Sequence, residues 1–470
     1  MSSRAAPPPP TALPAEQMVA PDQRRFLPPW PAAALMVAAV FPIYFSIGDF
    51  LLTPMRIICL LAVIIVPAQL FFARAYGRLT PVDFLITFYA LWVMLSYLVV
   101  QGPSRFVFAG LQVVNILGGY MIGRAAIRSV ADMQAVARLF VLLILPLLPF
   151  AIVEGLTGSY IIPGFIDGLP GLRSVSEINY GQRLGLNRAQ VVFTHPIHWG
   201  LFCSLPIALY CVGLANQVPF ATRVFVTFLV VSTCFTSLSS GPILAAGFQI
   251  ILIGYAVVFH GLGHQWRLLL LTIAGTYAVL EPLSTRFLPY ALASRMAFNS
   301  KTAHYRTLIW EYGSAQVERT PIFGTAGGYW QRLHWMPSSI DNYWLQLAVV
   351  NGLPATLSMI AVFLYTMIRL GRGTYVKGTD AYYMRVAVTI LLVGLALSLS
   401  TVTIWNEVLT VVMFVIGASA FMLQAEPVKG AAVAAAAAPK TPQRRGPVYT
   451  RFPAEARTRA RAQTPPFARS

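Results

Sequence analysis

Val82-Asp-Phe-Leu-Ile-Thr-Phe-Tyr-Ala-Leu-Trp-Val-Met-Leu-Ser-Tyr-Leu-Val-Val-Gln101 carries one charged residue in 20 positions. A helix rises about 1.5 Å per residue, so this run reaches ~30 Å, the apolar thickness of a bilayer. Similar runs recur on both sides of it. The candidate spans are 30–47, 50–72, 82–101, 106–123, 135–155, 191–214, 219–237, 241–260, 267–282, 342–368, 383–403 and 406–424. With 57% hydrophobic and 11% charged residues in 470, the chain sits far from soluble domains, where about a quarter of residues are charged. The expected fold is an all-α polytopic membrane protein of about 12 transmembrane helices, with one large extracytoplasmic loop between spans 9 and 10.

Three regions follow from this pattern. Residues 1–29, with Pro7-Pro8-Pro9-Pro10, read as a disordered cytoplasmic tail, and 30–47 as an uncleaved signal anchor. Residues 30–425 form the membrane domain, and 426–470 a second disordered tail rich in alanine and arginine. That basic tail raises the net charge to +18 and suits anionic lipid headgroups rather than nucleic acid. Cys59, Cys203, Cys211 and Cys234 all fall inside predicted spans and read as packing residues, not as a disulfide or metal site.

Lysine and arginine placement sets the orientation. With the N-terminus inside, ten of the 34 basic residues lie outside, and nine of those ten sit in two loops, 156–190 and 283–341. A rule obeyed everywhere except at two loops marks those loops as the place for chemistry. The first contains Arg183 and Arg188, followed by Val191-Val-Phe-Thr-His195-Pro196-Ile-His198. The second contains His304-Tyr-Arg306-Thr-Leu-Ile-Trp310-Glu311, then Thr320-Pro321-Ile-Phe323-Gly324-Thr-Ala-Gly327-Gly328-Tyr329-Trp330, and runs through Asp341-Asn342 into the next span. Arg306 and Trp310 have helical spacing and share a face, and Pro321 ends that helix.

Clustered guanidiniums beside an apolar medium suit an anionic amphiphile, because they pair bidentately with phosphate oxygens at any working pH. Arg188 and Arg306 are the leading candidates for this role, with Arg183 and Arg56 behind them. Asp341, His304, Glu311 and His195 are candidate bases for an acceptor hydroxyl, and Trp310, Tyr329 and Trp330 candidate platforms for sugar rings. Each has a plainer role open to it: Asp341 as a helix cap, Arg56 snorkelling to headgroups, the histidines as packing residues, the aromatics as interfacial anchors. The chain contains neither a phosphate-binding glycine loop with Lys-Ser/Thr nor Cys/His zinc spacing.

The order of motifs resembles the O-antigen ligase and polymerase superfamily of bacterial envelopes. It runs from Arg188-Ala-Gln-Val-Val-Phe-Thr-His-Pro and Ser237-Leu-Ser-Ser-Gly241 to Arg306-x-x-x-Trp310, Pro321-x-Phe-Gly and an Asp-Asn pair opening a span that ends Asn351-Gly-Leu-Pro354. The likeness covers roughly residues 30–425. It implies an inner-membrane glycosyltransferase that works at the periplasmic face on undecaprenyl-pyrophosphate-linked glycans. Such an enzyme needs no metal, cofactor or nucleotide sugar, and its partners include a polysaccharide flippase and a chain-length regulator. Ligases of that family carry histidine where this chain has Asp341, a departure that favours a polymerase making O-antigen or exopolysaccharide over a ligase acting on lipid A-core. A transporter is the main rival, but no internal repeat supports one.

Overall fold

The quoted run is a helix whose start is written into its first residues. Pro81 takes the first helical position, Thr80 precedes it, and the Asp83 carboxylate accepts the Thr80 N–H at 2.6 Å. Gly102, at φ 84°, ends the helix. The single charge in the run is therefore half cap and half ion pair, since Arg124 Nε donates to Asp83 at 3.1 Å and Tyr120 at 2.6 Å. Both charged partners are buried, so neither is left uncompensated in a low-dielectric interior.

The computed structural model describes residues 25–424 apart from 48–49, 74, 178–180, 261, 263–264, 284–299 and 374. Most of both expected tails, and Arg286 and Arg295 of the long loop, lie outside the described residues. In order, the elements are α1 (Trp30–Ala39), a hairpin of β1 (Phe45–Ile47) and β2 (Phe50–Leu52), α2 (Pro54–Pro67), α3 (Pro81–Gln101), α4 (Phe106–Ala126) and α5 (Val130–Ile144). Then come α6 (Leu148–Thr157), α7 (Ile161–Asp167), α8 (Pro196–Ser204), α9 (Pro206–Cys211), α10 (Phe220–Phe235), α11 (Ser240–Val258) and α12 (Gln265–Leu280). The chain closes with α13 (Ser300–Arg319), α14 (Tyr343–Arg372), α15 (Asp380–Ser398), α16 (Asn406–Ala418) and α17 (Ala420–Leu423).

The protein is a multi-pass helical membrane protein: seven helical stretches are long and apolar enough to cross a bilayer, Pro81–Gln101, Pro103–Ala126, Val130–Thr157, Ser240–Val258, Tyr343–Arg372, Asp380–Ser398 and Asn406–Leu423. Five shorter apolar stretches occupy the remaining predicted spans. At the centre, α4 and α16 run parallel in backbone contact. A Cβ at Gly119 would lie 2.2 Å from the Thr410 carbonyl oxygen, and one at Gly123 2.1 Å from that of Phe414. This is the small-residue spacing that lets membrane helices approach closely.

Two expectations about spans need correction. Phe45–Ile47 and Phe50–Leu52 pair as antiparallel strands, not helix, so the predicted spans 30–47 and 50–72 shorten to α1 and α2. Pro42 cannot continue α1, and the aromatic and β-branched residues after it favour extended backbone. The Asn351-Gly-Leu-Pro354 segment does not end its span. It is a break inside α14, where Gly352 adopts φ 80° and ψ 174°, before the helix continues to Arg372.

The loops sort into two sets. Tyr44 N–H reaches the Arg173 carbonyl (2.8 Å), Arg183 that of Leu238 (2.9 Å), Tyr343 N–H that of Leu399 (2.8 Å), and Arg306 both Ser240 and Thr401. Among the described residues the intervening loops meet one another in the same way: Arg124 with Arg78 (2.9 Å), Gln134 with Asp380 (3.0 Å), Asn216 with Gly378 (2.8 Å) and Gln424 with Arg78 (2.8 Å). The loops 156–190 and 283–341 belong to the first set.

Candidate active site

Arg306 sits on α13 and is fixed by groups from two other elements. Its Nη2 donates to Ser240 Oγ at 2.9 Å and to the Thr401 carbonyl at 3.3 Å. Ser240 opens α11, and the preceding Leu238 has φ 44°, a strained conformation for leucine that turns its carbonyl out to accept Arg183 Nη1 at 2.9 Å. The segment Ser237–Gly241 thus holds two guanidiniums from two separate loops. It is itself pinned, because Ser398 Oγ donates to the Gly241 carbonyl at 2.7 Å and a Cβ at Gly241 would lie 2.2 Å from Val402.

The other loop is built with similar economy. Arg183 and Leu186 exchange backbone hydrogen bonds of 2.9 and 3.0 Å across Leu184-Gly185, both at positive φ, which is the tight two-residue hairpin turn. Arg188 follows and is buried. Immediately after it, the Glu154 carboxylate accepts the N–H groups of Gln190 (2.7 Å) and Val191 (3.0 Å), so a lone acid in an apolar span anchors the segment that carries Arg188. The helix expected from residue 191 begins only at Pro196. Val191 at φ 55° cannot be helical, and His195 caps α8 by accepting the Ile197 N–H on Nδ1 at 3.0 Å.

That cap decides the chemistry of His195. With Nδ1 accepting, the neutral ring carries its proton on Nε2. Burial, helped by the Arg188 and Arg183 guanidiniums, pushes the imidazole down to about 3, so it stays neutral and is a poor base.

Asp341 ends the long loop, immediately before the cap of α14. The capping role open to it is taken by its neighbour, since Asn342 Oδ1 accepts the Leu345 N–H at 3.1 Å and starts α14. Burial lifts the Asp341 carboxyl above the usual aspartate range and outweighs the pull of Arg306, Arg188 and Arg183, whose charges all act on it. Burial lowers the Arg306 and Arg183 guanidiniums, and Asp341 offsets part of that drop. Tyr305 joins the edge of the group, its phenol raised by burial and by Asp341, and donates to the Pro337 carbonyl at 3.2 Å. The charges of three guanidiniums act on one carboxyl of raised pKa, a set that suits an anion beside a hydroxyl whose proton Asp341 can take.

Not every predicted residue joins. His304 and Glu311 are exposed on α13. Trp310 is 46% exposed and Tyr329 72%, the latter with the Arg332 guanidinium 5.1 Å from its ring centre. Trp330 cannot serve as a sugar platform: it is 4% exposed, donates to the Ser338 carbonyl at 3.0 Å, and packs with Ile309, Met336, Ile340 and Leu345 in a small core of the long loop. Arg56 is drawn elsewhere, its Nη2 donating to Asn406 Oδ1 at 3.2 Å.

The Pro321-x-Phe-Gly segment has a structural task. It docks on the break in α14, where Thr325 and Ala326 donate to the carbonyls of Val349 and Val350 at 2.8 and 2.7 Å, and Leu353 N–H reaches the Pro321 carbonyl at 2.7 Å. Backbone groups freed by a break at membrane depth need such partners. Sequence reasoning missed Glu154, Thr401 and the cap on Asn342. Only Glu154 had a signal, as an acid inside an apolar span. Among the described residues, no three His, Cys, Asp or Glu side chains lie close enough to hold a metal ion. No protein-family model matches the chain, and no curated protein matches it either.

Proposed function

We propose that the chain is a bacterial inner-membrane glycosyltransferase that polymerises polyprenyl-pyrophosphate-linked oligosaccharide repeat units at the outer face. In this reading all twelve apolar stretches cross the membrane, and the loops bearing Arg183, Arg188, Arg306 and Asp341 face the periplasm. The sorting of loop contacts into two sets supports that alternation, as does the placing of nine basic residues in just two loops of one set.

The observation that carries the function is the anchoring of Arg306 and Arg183, from two loops, on Ser240 and the Leu238 carbonyl, with their charges and that of Arg188 acting on the Asp341 carboxyl. Asp341 takes the proton of an acceptor hydroxyl, whose oxygen attacks the anomeric carbon of the donor glycan. The bond from that carbon to the pyrophosphate oxygen breaks, and polyprenyl pyrophosphate leaves with the electron pair. Negative charge grows on the leaving oxygen as the bond lengthens, so guanidiniums already fixed by Ser240, Thr401 and the Leu238 carbonyl stabilise the transition state more than the ground state. Transfer to a lipid A-core sugar would use the same groups, and Asp341 in place of histidine favours the polymerase. The break in α14 is a feature a transporter would share, as it would the twelve apolar stretches, but its freed carbonyls are taken by Thr325 and Ala326.

The test is Arg306→Ala and Arg188→Ala in the native host. Both should abolish glycan transfer at unchanged membrane abundance, and normal surface polysaccharide in both would refute the clamp. Loss of long chains with single repeat units retained identifies a polymerase, whereas loss of all glycan from lipid A-core identifies a ligase.

A further inference from the structure

A second polar cluster lies beside the arginines and differs from them in charge. Trp405 ends the 399–405 connection and precedes α16. Its ring lies 3.9 Å from that of His198 and 5.7 Å from that of His195, the residue on which Arg188 and Arg183 act. On its other side, Asn406 is held at φ 44° and accepts Arg56 Nη2 at 3.2 Å. Next to it Glu407, 8% exposed, takes a long hydrogen bond of 3.4 Å from Tyr44 on Oε1.

Several polar atoms here are buried with no hydrogen-bond partner among the described residues: Glu407 Oε2, both ring nitrogens of His198 and both amide atoms of Asn115. Helix register brings Asn115 to the same level. Gly118 of α4 abuts Cys59 of α2, and Gly119 abuts Thr410 of α16. One turn outward along these three parallel helices stand Asn115, Arg56 and Asn406, and helical side chains lean toward that end. Leaving such groups unsatisfied forfeits their hydration without replacing it, which marks a place where a ligand would supply the missing bonds.

The ligand's chemistry follows from the set. Arg56 and Glu407 offset each other, so an anion is opposed by the carboxylate and a cation by the guanidinium. Asn115, Asn406 and His198 offer both donors and acceptors, and partly exposed Trp405 offers an aromatic face. A neutral polyhydroxylated ring meets all three conditions.

We infer that Trp405, Asn406, Glu407 and Asn115 form a subsite for a neutral sugar residue of the glycan, adjoining the arginine clamp and entered over the Trp405 ring. It builds on the proposed transfer reaction and moves Arg56 from the pyrophosphate to the sugar.

Two probes test this on the full chain in detergent: inorganic pyrophosphate, and the phosphate-free oligosaccharide released from the host's own lipid-linked repeat unit. Saturation-transfer NMR and calorimetry should show the oligosaccharide binding wild type and Arg306→Ala alike, about ten-fold more weakly to Glu407→Gln, the loss expected for one hydrogen bond to a charged group, and more weakly to Trp405→Ala, which loses the aromatic face. Trp405→Phe should retain most of the binding. If Trp405→Ala does not fold, Glu407→Gln decides alone. No oligosaccharide binding by wild type, or equal binding by wild type and Glu407→Gln, overturns the subsite. Pyrophosphate binding lost in Arg306→Ala and kept in Glu407→Gln reports on the clamp separately, so either assignment can fail without the other.

Discussion

Arg306 and Ser240, 66 residues apart, are joined by a 2.9 Å hydrogen bond that ties the helix of the long loop to the start of a membrane helix. The bond fixes a guanidinium in advance of substrate. Ser240→Ala keeps Arg306 but removes one of its anchors, and transfer should fall about ten-fold, the equivalent of one hydrogen bond to a charged group. Ser240→Thr restores the hydroxyl and should recover most of the rate. Initial-rate assays on purified variants check both, and an unaffected Ser240→Ala rate would contradict the anchoring role.

Asp341 gives a pH signature. A base works in its ionised form, and burial raises this carboxyl above the usual aspartate range, so activity is full above that pKa and is lost as pH falls through it. Arg183 is one of three charges pulling the pKa down, so Arg183→Gln should move the acidic limb of the residual rate to higher pH. A limb that stays in place or moves to lower pH would argue against Asp341 as the base.

Glu154 holds the Arg188 segment without touching the cluster. Glu154→Ala leaves the N–H groups of Gln190 and Val191 buried and unpaired, at a cost of about 1–3 kcal/mol each. Transfer should drop at least ten-fold, while Glu154→Gln, which keeps one accepting oxygen, should lose less. Thermal unfolding followed alongside activity separates the two effects.

Gly352 is the hinge of the broken helix. A Cβ there would lie 1.9 Å from the Ile322 carbonyl oxygen, and φ 80° strains any other residue. Gly352→Ala should destabilise the protein by at least ~2 kcal/mol, visible as a lower melting temperature and reduced membrane abundance. A neutral outcome would mean that the docking of Pro321–Ala326 on the break does not hold the long loop in place.

How much of this was readable beforehand depended on whether the signal was local. Hydropathy marked the apolar stretches because bilayer thickness acts on each run separately. The positive-inside exception picked out both loops whose arginines are held by Leu238 and Ser240. Arg306, Arg188 and Arg183 stood out in the sequence because cations clustered in loops expected outside the membrane break a simple rule. What escaped depends on contacts distant in sequence. Asp341 and Asn342 are equally good caps on paper, and only the fold gives the cap to Asn342. Trp330 reads as a sugar platform until the loop closes a core over it, and Asn351-Gly-Leu-Pro354 reads as a helix end until a second loop satisfies its carbonyls.

The most direct test of the transfer reaction uses purified protein in proteoliposomes, supplied with polyprenyl-pyrophosphate-linked repeat units. Wild type should release polyprenyl pyrophosphate and build longer glycans together, Arg306→Ala and Asp341→Asn neither. An intact substrate with wild type, or the same product ladder with Arg306→Ala, would contradict the account.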